Sequence, residues 1–508
     1  MDISEIINYP LKYNDFLINK TNTINFNQTT IKNHINEIFI KLLNIDEKKE
    51  ETKYLTLSCI LGAFLGDSMG SVCEFSEKSP FNHNIIFKIE NGIFEKGEIT
   101  DDSEMAISAA FAYMDLPFKE SIKIKDLLFF YFCIWKNSRP KDIGKATQTA
   151  LSLFVPDQDS ILSTKFTELI QNYIFDLNKD SLANGFLMRI STFIVFFYYA
   201  YFDFINEILN QNDTSLYLEL YNKIYQESYK NVVITHPNIE NVIVSAIFTF
   251  MVLIAFVKKK AKDVLTHLKI LINHKYFISQ HKEKDIAEKT VNKINNVIKD
   301  IDKNYNIDVY SHMGYYLHSI KLSIYFLKKY ERMENCEFYE DGSGNQNLYR
   351  QIMEEICDFG GDTDTNCAIV GTLIGPLIGY KNFDRDLFTI FIKFFPKKRI
   401  QYTSAFMYEY VDFLENKYLN INNNKNQIIK NDNDNNNNKN EDIKNNNNNN
   451  QDIKIENDNN NKNINNNKNE DIKIKNKDNN IEFDDKDEKI IKKDNNFIVL
   501  QKLMKFLS

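Results

Sequence analysis

Glycine is scarce in this chain of 508 residues, yet eight of its 15 glycines fall in two short segments, Gly62 to Gly70 and Gly360 to Gly379. A chain uses glycine where backbones must approach closely or adopt dihedrals that a Cβ forbids, so these two segments are set apart from the rest. Gly62, Gly66 and Gly70 lie four apart and share one helix face, against which a second backbone can pack. Their spacing matches neither G-x-G-x-x-G nor a phosphate loop ending in Gly-Lys-Ser/Thr, so nucleotide binding by those two devices is unsupported.

Elsewhere apolar residues recur at three and four spacing, as in Ile38, Phe39, Leu42 and Leu43, and again in Met105, Ile107, Ala109, Phe111 and Met114. That spacing builds an apolar helix face, and period-two alternation is rare, so the chain is expected to be all-α. Further helices are expected at about 158–176, 213–230, 239–258, 260–274, 282–300, 314–331, 347–357, 366–379 and 402–417. Asn241 to Val257 raises the question of a membrane span. It is only 17 residues long and contains Asn241, Ser245 and Thr249, so it reads as a buried core helix. Glu331 to Asn347, with Gly342-Ser343-Gly344, reads as a surface loop.

From Leu419 to Asn496 the sequence is dominated by Asn, Lys, Asp and Ile, with roughly half of positions 421–480 being Asn, too polar to bury a core. The expected organisation is an N-terminal helical extension (1–51), a folded domain (52–418) with an enlarged insertion around 258–350, a disordered low-complexity tail (419–496) and a short amphipathic C-terminus (497–508). The net charge of -8 is small, and Lys alternates with Asp in the tail, so no basic face points to nucleic acid. None of the six cysteines forms a C-x-x-C pair, which fits a reduced compartment. The acidic opening Met1-Asp2-Ile3-Ser4-Glu5 is not a secretory signal. A monomeric intracellular protein, cytoplasmic or nuclear, with neither membrane nor nucleic-acid partner, is therefore expected.

Three segments carry candidate chemistry. The first glycine-rich helix ends near Glu74, a carboxylate that is either catalytic or merely solvated. Thr100-Asp101-Asp102-Ser103-Glu104 opens an apolar-periodic helix; read alone it is an N-cap with acidic residues in the first turn, where the helix dipole favours negative charge. Asp362-Thr363-Asp364-Thr365-Asn366 opens another, and alone it could be a capped turn. A calcium-binding EF-hand loop is excluded there, because its sixth position would be Cys367 instead of Gly and its twelfth Leu373 instead of Glu. The conjunction changes the reading. Two helix starts, each with paired carboxylates and a threonine hydroxyl, offer hard oxygen ligands of the kind magnesium takes, and without a cation such a cluster would repel itself.

These ordered motifs resemble the ADP-ribosylglycohydrolase family. Gly-Ala-Phe-Leu-Gly-Asp-Ser-Met-Gly followed by Glu74, Thr-Asp-Asp-Ser-Glu-Met at 100–105 and Gly-Gly-Asp-Thr-Asp-Thr-Asn at 360–366 look like its three metal and catalytic blocks. Asp142-Ile143-Gly144-Lys145 resembles its diphosphate loop, Asn184-Gly185-Phe186-Leu187-Met188-Arg189 its ligand-binding turn, and Thr235-His236 its Thr-His element. The resemblance covers about residues 52–415 and implies an all-α orthogonal multi-helix bundle that hydrolyses ADP-ribosylated proteins or small ADP-ribose conjugates. It implies two Mg2+, with Mn2+ as a substitute, held by Thr100, Asp101, Asp102, Asp362, Asp364 and Thr365. Glu74 would be the acid–base group, and Gly144, Asn184, Gly185 and His236 would bind substrate. Alternatives are a catalytically silent ADP-ribose-binding or structural member of the same fold and a metal-dependent hydrolase of another ribose-containing metabolite. Three departures stand out: Ser103 replaces the commoner Thr, the 258–350 region is longer than expected, and Pro376 should kink or interrupt the helix after the third block.

Overall fold

The computed structural model describes residues 28–75, 77, 93–116, 123–152, 164–211, 213–302, 307–334, 348–397 and 399–420. The amphipathic 497–508 segment, nearly all of the 419–496 tail, the first 27 residues and most of the 331–347 loop lie outside the described residues. Among those described, the regular structure is helical, with seventeen α-helices and an isolated antiparallel bridge between Ala183 and Tyr315. The fold is all-α, as the spacing predicts.

At its centre the helix Glu51–Gly70 lies against Thr363–Ile378, and glycine explains how closely. A Cβ placed on Gly62 would stand 2.6 Å from the carbonyl oxygen of Gly371, and one on Gly70 would stand 2.7 Å from the backbone nitrogen of Asp364. The two glycine-rich segments are therefore the two halves of one backbone-to-backbone contact. Every residue from Lys53 to Gly70 is buried, so this helix has no solvent face to mark with polar residues, and it is recognised by its glycines instead.

Ile239–Lys258 is a second central helix, matching the expected 239–258. Asn238 caps its start by accepting the Glu240 N–H, and Lys259, in the left-handed region, ends it. It is long and apolar enough to cross a membrane, but 94% of its apolar window is buried within the fold, where Tyr217–Val232, Ala261–Ile272 and Thr363–Ile378 pack on it. It is a core helix.

Pro376 departs from expectation. The helix runs through it to Ile378 and closes with the Gly379 N–H on the Gly375 carbonyl, so no interruption occurs. The proline stands in the last turn, where its missing donor removes one bond and leaves the rest of the ladder intact. Within 258–350, the helices Ala261–Ile272, Lys284–Asp302 and Tyr316–Glu334 pack onto Ile239–Lys258 and Thr363–Ile378. The segment leading into the last of them returns to the site: Asn184 N–H donates to Gly314 O and Tyr316 N–H to Leu182 O.

Candidate active site

The helix Asp101–Asp115 begins at Thr100, whose hydroxyl oxygen accepts the Asp102 N–H at 3.4 Å. A residue from the glycine-rich helix completes this start. Asp67, fully buried, accepts the N–H groups of Thr100 at 3.1 Å and Ser103 at 3.2 Å, together with the Ser103 hydroxyl. These donors are helix-start amides that otherwise lack partners, so a buried carboxylate is at home there. Burial outweighs the hydrogen bonds and pushes Asp67 up to about 6.

The helix Thr363–Ile378 begins differently. Asp362 occupies the cap position and makes no capping hydrogen bond; its Oδ2 accepts instead from the Asn184 side-chain amide at 2.6 Å. Thr363 points the other way, its hydroxyl donating to the Gly70 carbonyl at 2.7 Å, which ties the turn to the end of the glycine-rich helix. Gly361, just before, takes a positive φ of 82°, so the chain reverses into the helix where most side chains would be strained.

Together these starts bring carboxylates into one cluster. Asp67, Asp102 and Asp364 offer oxygens within 4.8 Å of one another, and so do Glu74, Asp362 and Asp364; Asp364 belongs to both triads. Asp102 Oδ1 and Asp364 Oδ1 are buried without a hydrogen-bond partner. Burial, then mutual repulsion, holds Asp102 and Asp364 well above the usual carboxylate range. Asp362 is raised mainly by burial. Glu74 is half-buried and is pushed up to about 8 by burial and by the charges of Asp142, Asp362 and Asp67. Asp101 stands to one side, accepting the Gly144 N–H at 3.2 Å and raised by burial and by Asp142. Hard oxygens at this density, with two buried atoms unpartnered, fit divalent cations.

A family model described as ADP-ribosylglycohydrolase matches residues 49–389, a span that holds every candidate site residue. The chain belongs to the ADP-ribosylglycohydrolase family. As an ADP-ribosylglycohydrolase family member it is a hydrolase of ADP-ribose conjugates. A protein of Acanthamoeba polyphaga mimivirus that carries the name of an ADP-ribosyl glycohydrolase is 25% identical over 332 residues, covering 63% of this chain and 86% of its own. A solved structure titled as an ADP-ribosylglycohydrolase-related protein complex is 15% identical, covers 68% of this chain and 98% of its own, and has a TM-score of 0.42.

The other motifs singled out in the sequence meet beyond Asp101. Among the described residues nothing beyond the adjoining chain comes within 4 Å of where a Gly144 Cβ would be, so that position faces open space, whereas a Cβ on Gly185 would stand 2.9 Å from His236 Cε1 and 3.6 Å from Thr147 Oγ1. Asn184 is buried and anchors Asp362, so its side chain orients a carboxylate. His236 is buried, bonds through Nδ1 to Thr235 Oγ1, and is held neutral, its pKa pushed down to about 3 by burial and by Arg189. The sequence did not single out Asp67 or the 309–315 segment as part of the site, and it marked Asp142 only as part of the loop around Gly144. Asp67 lay inside the glycine-rich motif and was legible as a polar residue in a helix with no exposed face. The 309–315 segment had no such signal, and its Gly314 lies against Asn184 and Asp362 only through the tertiary fold.

Proposed function

We propose that the chain hydrolyses the glycosidic bond between ADP-ribose and a modified protein side chain or related conjugate, with two Mg2+ positioning the distal ribose. The observation that carries this reading is the pair of acidic triads joined at Asp364, with Asp102 Oδ1 and Asp364 Oδ1 buried and unpartnered. Thr100, Asp101, Asp102, Asp362, Asp364 and Thr365 would hold the ions, with Asp67 adding a carboxylate to one triad. Mn2+ suits the same oxygen set. When bound, the ions supply ligand positions for the ribose hydroxyls and so fix its anomeric carbon.

The chain's own residues do the rest. Glu74 is the least buried member of the triads, which supports its role in passing a proton to and from a bound conjugate. It gives a proton to the departing group and recovers one from the attacking water. Positive charge develops on the ribose ring as the bond breaks, and the surrounding carboxylates stabilise it. Asn184 keeps Asp362 in register, and Gly144 leaves backbone room for a diphosphate.

The experiment offers the full chain Ser-linked and Arg-linked ADP-ribosylated peptides, poly(ADP-ribose) and small conjugates, with magnesium or a chelator, alongside Asp362→Ala. Release of ADP-ribose is expected with magnesium and lost in both other conditions. Release that survives chelation and the substitution would sink the two-metal reading. Binding of ADP-ribose by calorimetry with no release from any conjugate would replace it with a binding module.

A further inference from the structure

The turn that anchors Asp362 through Asn184 also holds a buried cation through Gly185. Arg189 is fully buried, and among the described residues its guanidinium meets neutral oxygens only. Nη1 donates to Gly185 O and Nη2 to Thr235 Oγ1, each at 2.8 Å, while Nη2 and Nε make longer bonds, both 3.4 Å, to Asn231 O and Oδ1. Its Cζ lies over the Phe132 ring, 4.8 Å from the ring centre. A buried ion without a counter-ion is costly even when its hydrogen bonds are met, so a cation held beside this turn is available to an anion that arrives with the ligand.

The hydrogen count around Thr235 goes further. Arginine only donates, so Thr235 Oγ1 accepts from it and has one hydrogen left to give. Thr235 is fully buried, and the neighbour of that oxygen is His236 Nδ1 at 2.8 Å. The reverse arrangement, Nδ1–H donating to Oγ1, would leave a buried hydroxyl hydrogen without an acceptor. Nδ1 therefore accepts, and the neutral ring carries its proton on Nε2. That atom lies 3.1 Å from the point a Gly185 Cβ would occupy.

We propose that Arg189 is a positioning residue for diphosphate recognition: through Thr235 it fixes His236 as the Nε2–H tautomer and, with its own buried charge behind, presents that N–H to a phosphate oxygen. This rests on the proposed ADP-ribose reading. The two ends of the site then suit one ligand, carboxylates that call for cations around the ribose and a guanidinium that calls for the anionic diphosphate.

The test uses the full chain as Arg189→Met, Arg189→Lys and Thr235→Val beside the unsubstituted protein. Long-range 1H–15N NMR of His236 reads which ring nitrogen bears the proton, calorimetry with ADP reads the diphosphate end, and the magnesium-induced rise in Tm reads the acidic end. The unsubstituted protein and Arg189→Lys are expected to hold the Nε2–H form, and Thr235→Val and Arg189→Met a mixture. In those two, ADP binding should weaken about 10- to 100-fold, as for loss of a hydrogen bond to a charged group, with the magnesium shift unchanged. Retention of a pure Nε2–H form in both, or equal losses at both ends of the site, would overturn the relay. Should Arg189→Met fail to fold, Thr235→Val decides alone, since it removes only the hydroxyl at nearly constant shape. An unsubstituted protein without a magnesium shift would count against the function reading, whereas one that shows the shift but ignores Thr235→Val counts against the relay alone.

Discussion

Both carboxylate pairs open a helix, yet the two starts are built in opposite ways. At Thr100 the amide donors are spent on oxygens of the protein, the Thr100 hydroxyl and the Asp67 carboxylate. At Asp362 no side chain caps the helix; the turn is held from outside, by Thr363 on the Gly70 carbonyl and by bare backbone at Gly70. The first start is a cap that also turns Asp102 into the cluster, and the second gives both its carboxylates to the cluster. One helix positions both, Asp67 by hydrogen bonding and Gly70 by absence of a side chain. Similar sequence signatures thus conceal different divisions between stability and function, and substitution at each start should separate them.

The largest effect is expected at Asp364, the residue common to both triads. Asp364→Asn should lower activity about 10²- to 10³-fold, the scale of losing several kcal/mol of transition-state stabilisation, and abolish the magnesium-induced rise in Tm. The metal-free protein should meanwhile melt higher, since one of several mutually repelling buried charges is gone. A metal-free Tm that falls would mean that Asp364 is structural, and the contrast between the two starts would collapse. Next in size is Gly70→Ala. Its Cβ would press on the backbone of Asp364, and overpacking against backbone costs about 1–3 kcal/mol, read by denaturant unfolding. Magnesium affinity should fall with it, because the turn moves; destabilisation with unchanged affinity would show that the turn is held by Thr363 instead.

How acidity acts on the cluster follows from the direction of each shift. Asp67 is raised from 3.8 to about 6 and Glu74 from 4.5 to about 8, so in the metal-free protein the folded state binds more protons than the unfolded state between those values. Stability is then greatest below that window and is lost as pH rises through about 6 to 8. His236 works the other way, its folded value of about 3 lying below 6.5, so that stability falls as pH drops below 6.5. The metal-free Tm should accordingly decline from about pH 6.5 to 8, and saturating magnesium should flatten the decline. A metal-free Tm that climbs across this range would contradict the cluster's electrostatics.

The sequence revealed more of the frame than of the site's interior. Glycines four apart announced a backbone contact without naming its partner, and the partner proved to be the other glycine-rich segment. The Ile239–Lys258 helix was legible to its exact ends because an Asn cap, a continuous apolar run and a lysine stop all agree. Asp362 and Thr100 looked alike because capping and ligand roles use the same residue types at the same offsets; which one a side chain serves depends on neighbours far along the chain. Asn184 on Asp362, 178 positions away, and Gly314 beside both are contacts that no local pattern encodes. Pro376 misled for a related reason, since the cost of a helical proline depends on how many turns follow it.

The smallest effect is expected at Thr100. Its hydroxyl caps the Asp101–Asp115 helix, and loss of a Ser or Thr cap typically costs about 1 kcal/mol. Asp67 still holds the Thr100 and Ser103 amides, so Thr100→Val should cost about 0.5–1 kcal/mol, the low end of that range, in denaturant unfolding of the metal-free protein. Thr100→Ser keeps the hydroxyl and should recover it. If the same oxygen is also a ligand, Thr100→Val will weaken magnesium binding by more than its stability cost can explain, and Thr100→Ser will restore both. Equal magnesium affinity in all three proteins would make Thr100 a cap alone, and the division between the two starts would then sharpen: the Thr100 hydroxyl would serve stability only, while the carboxylates at both starts serve the ions.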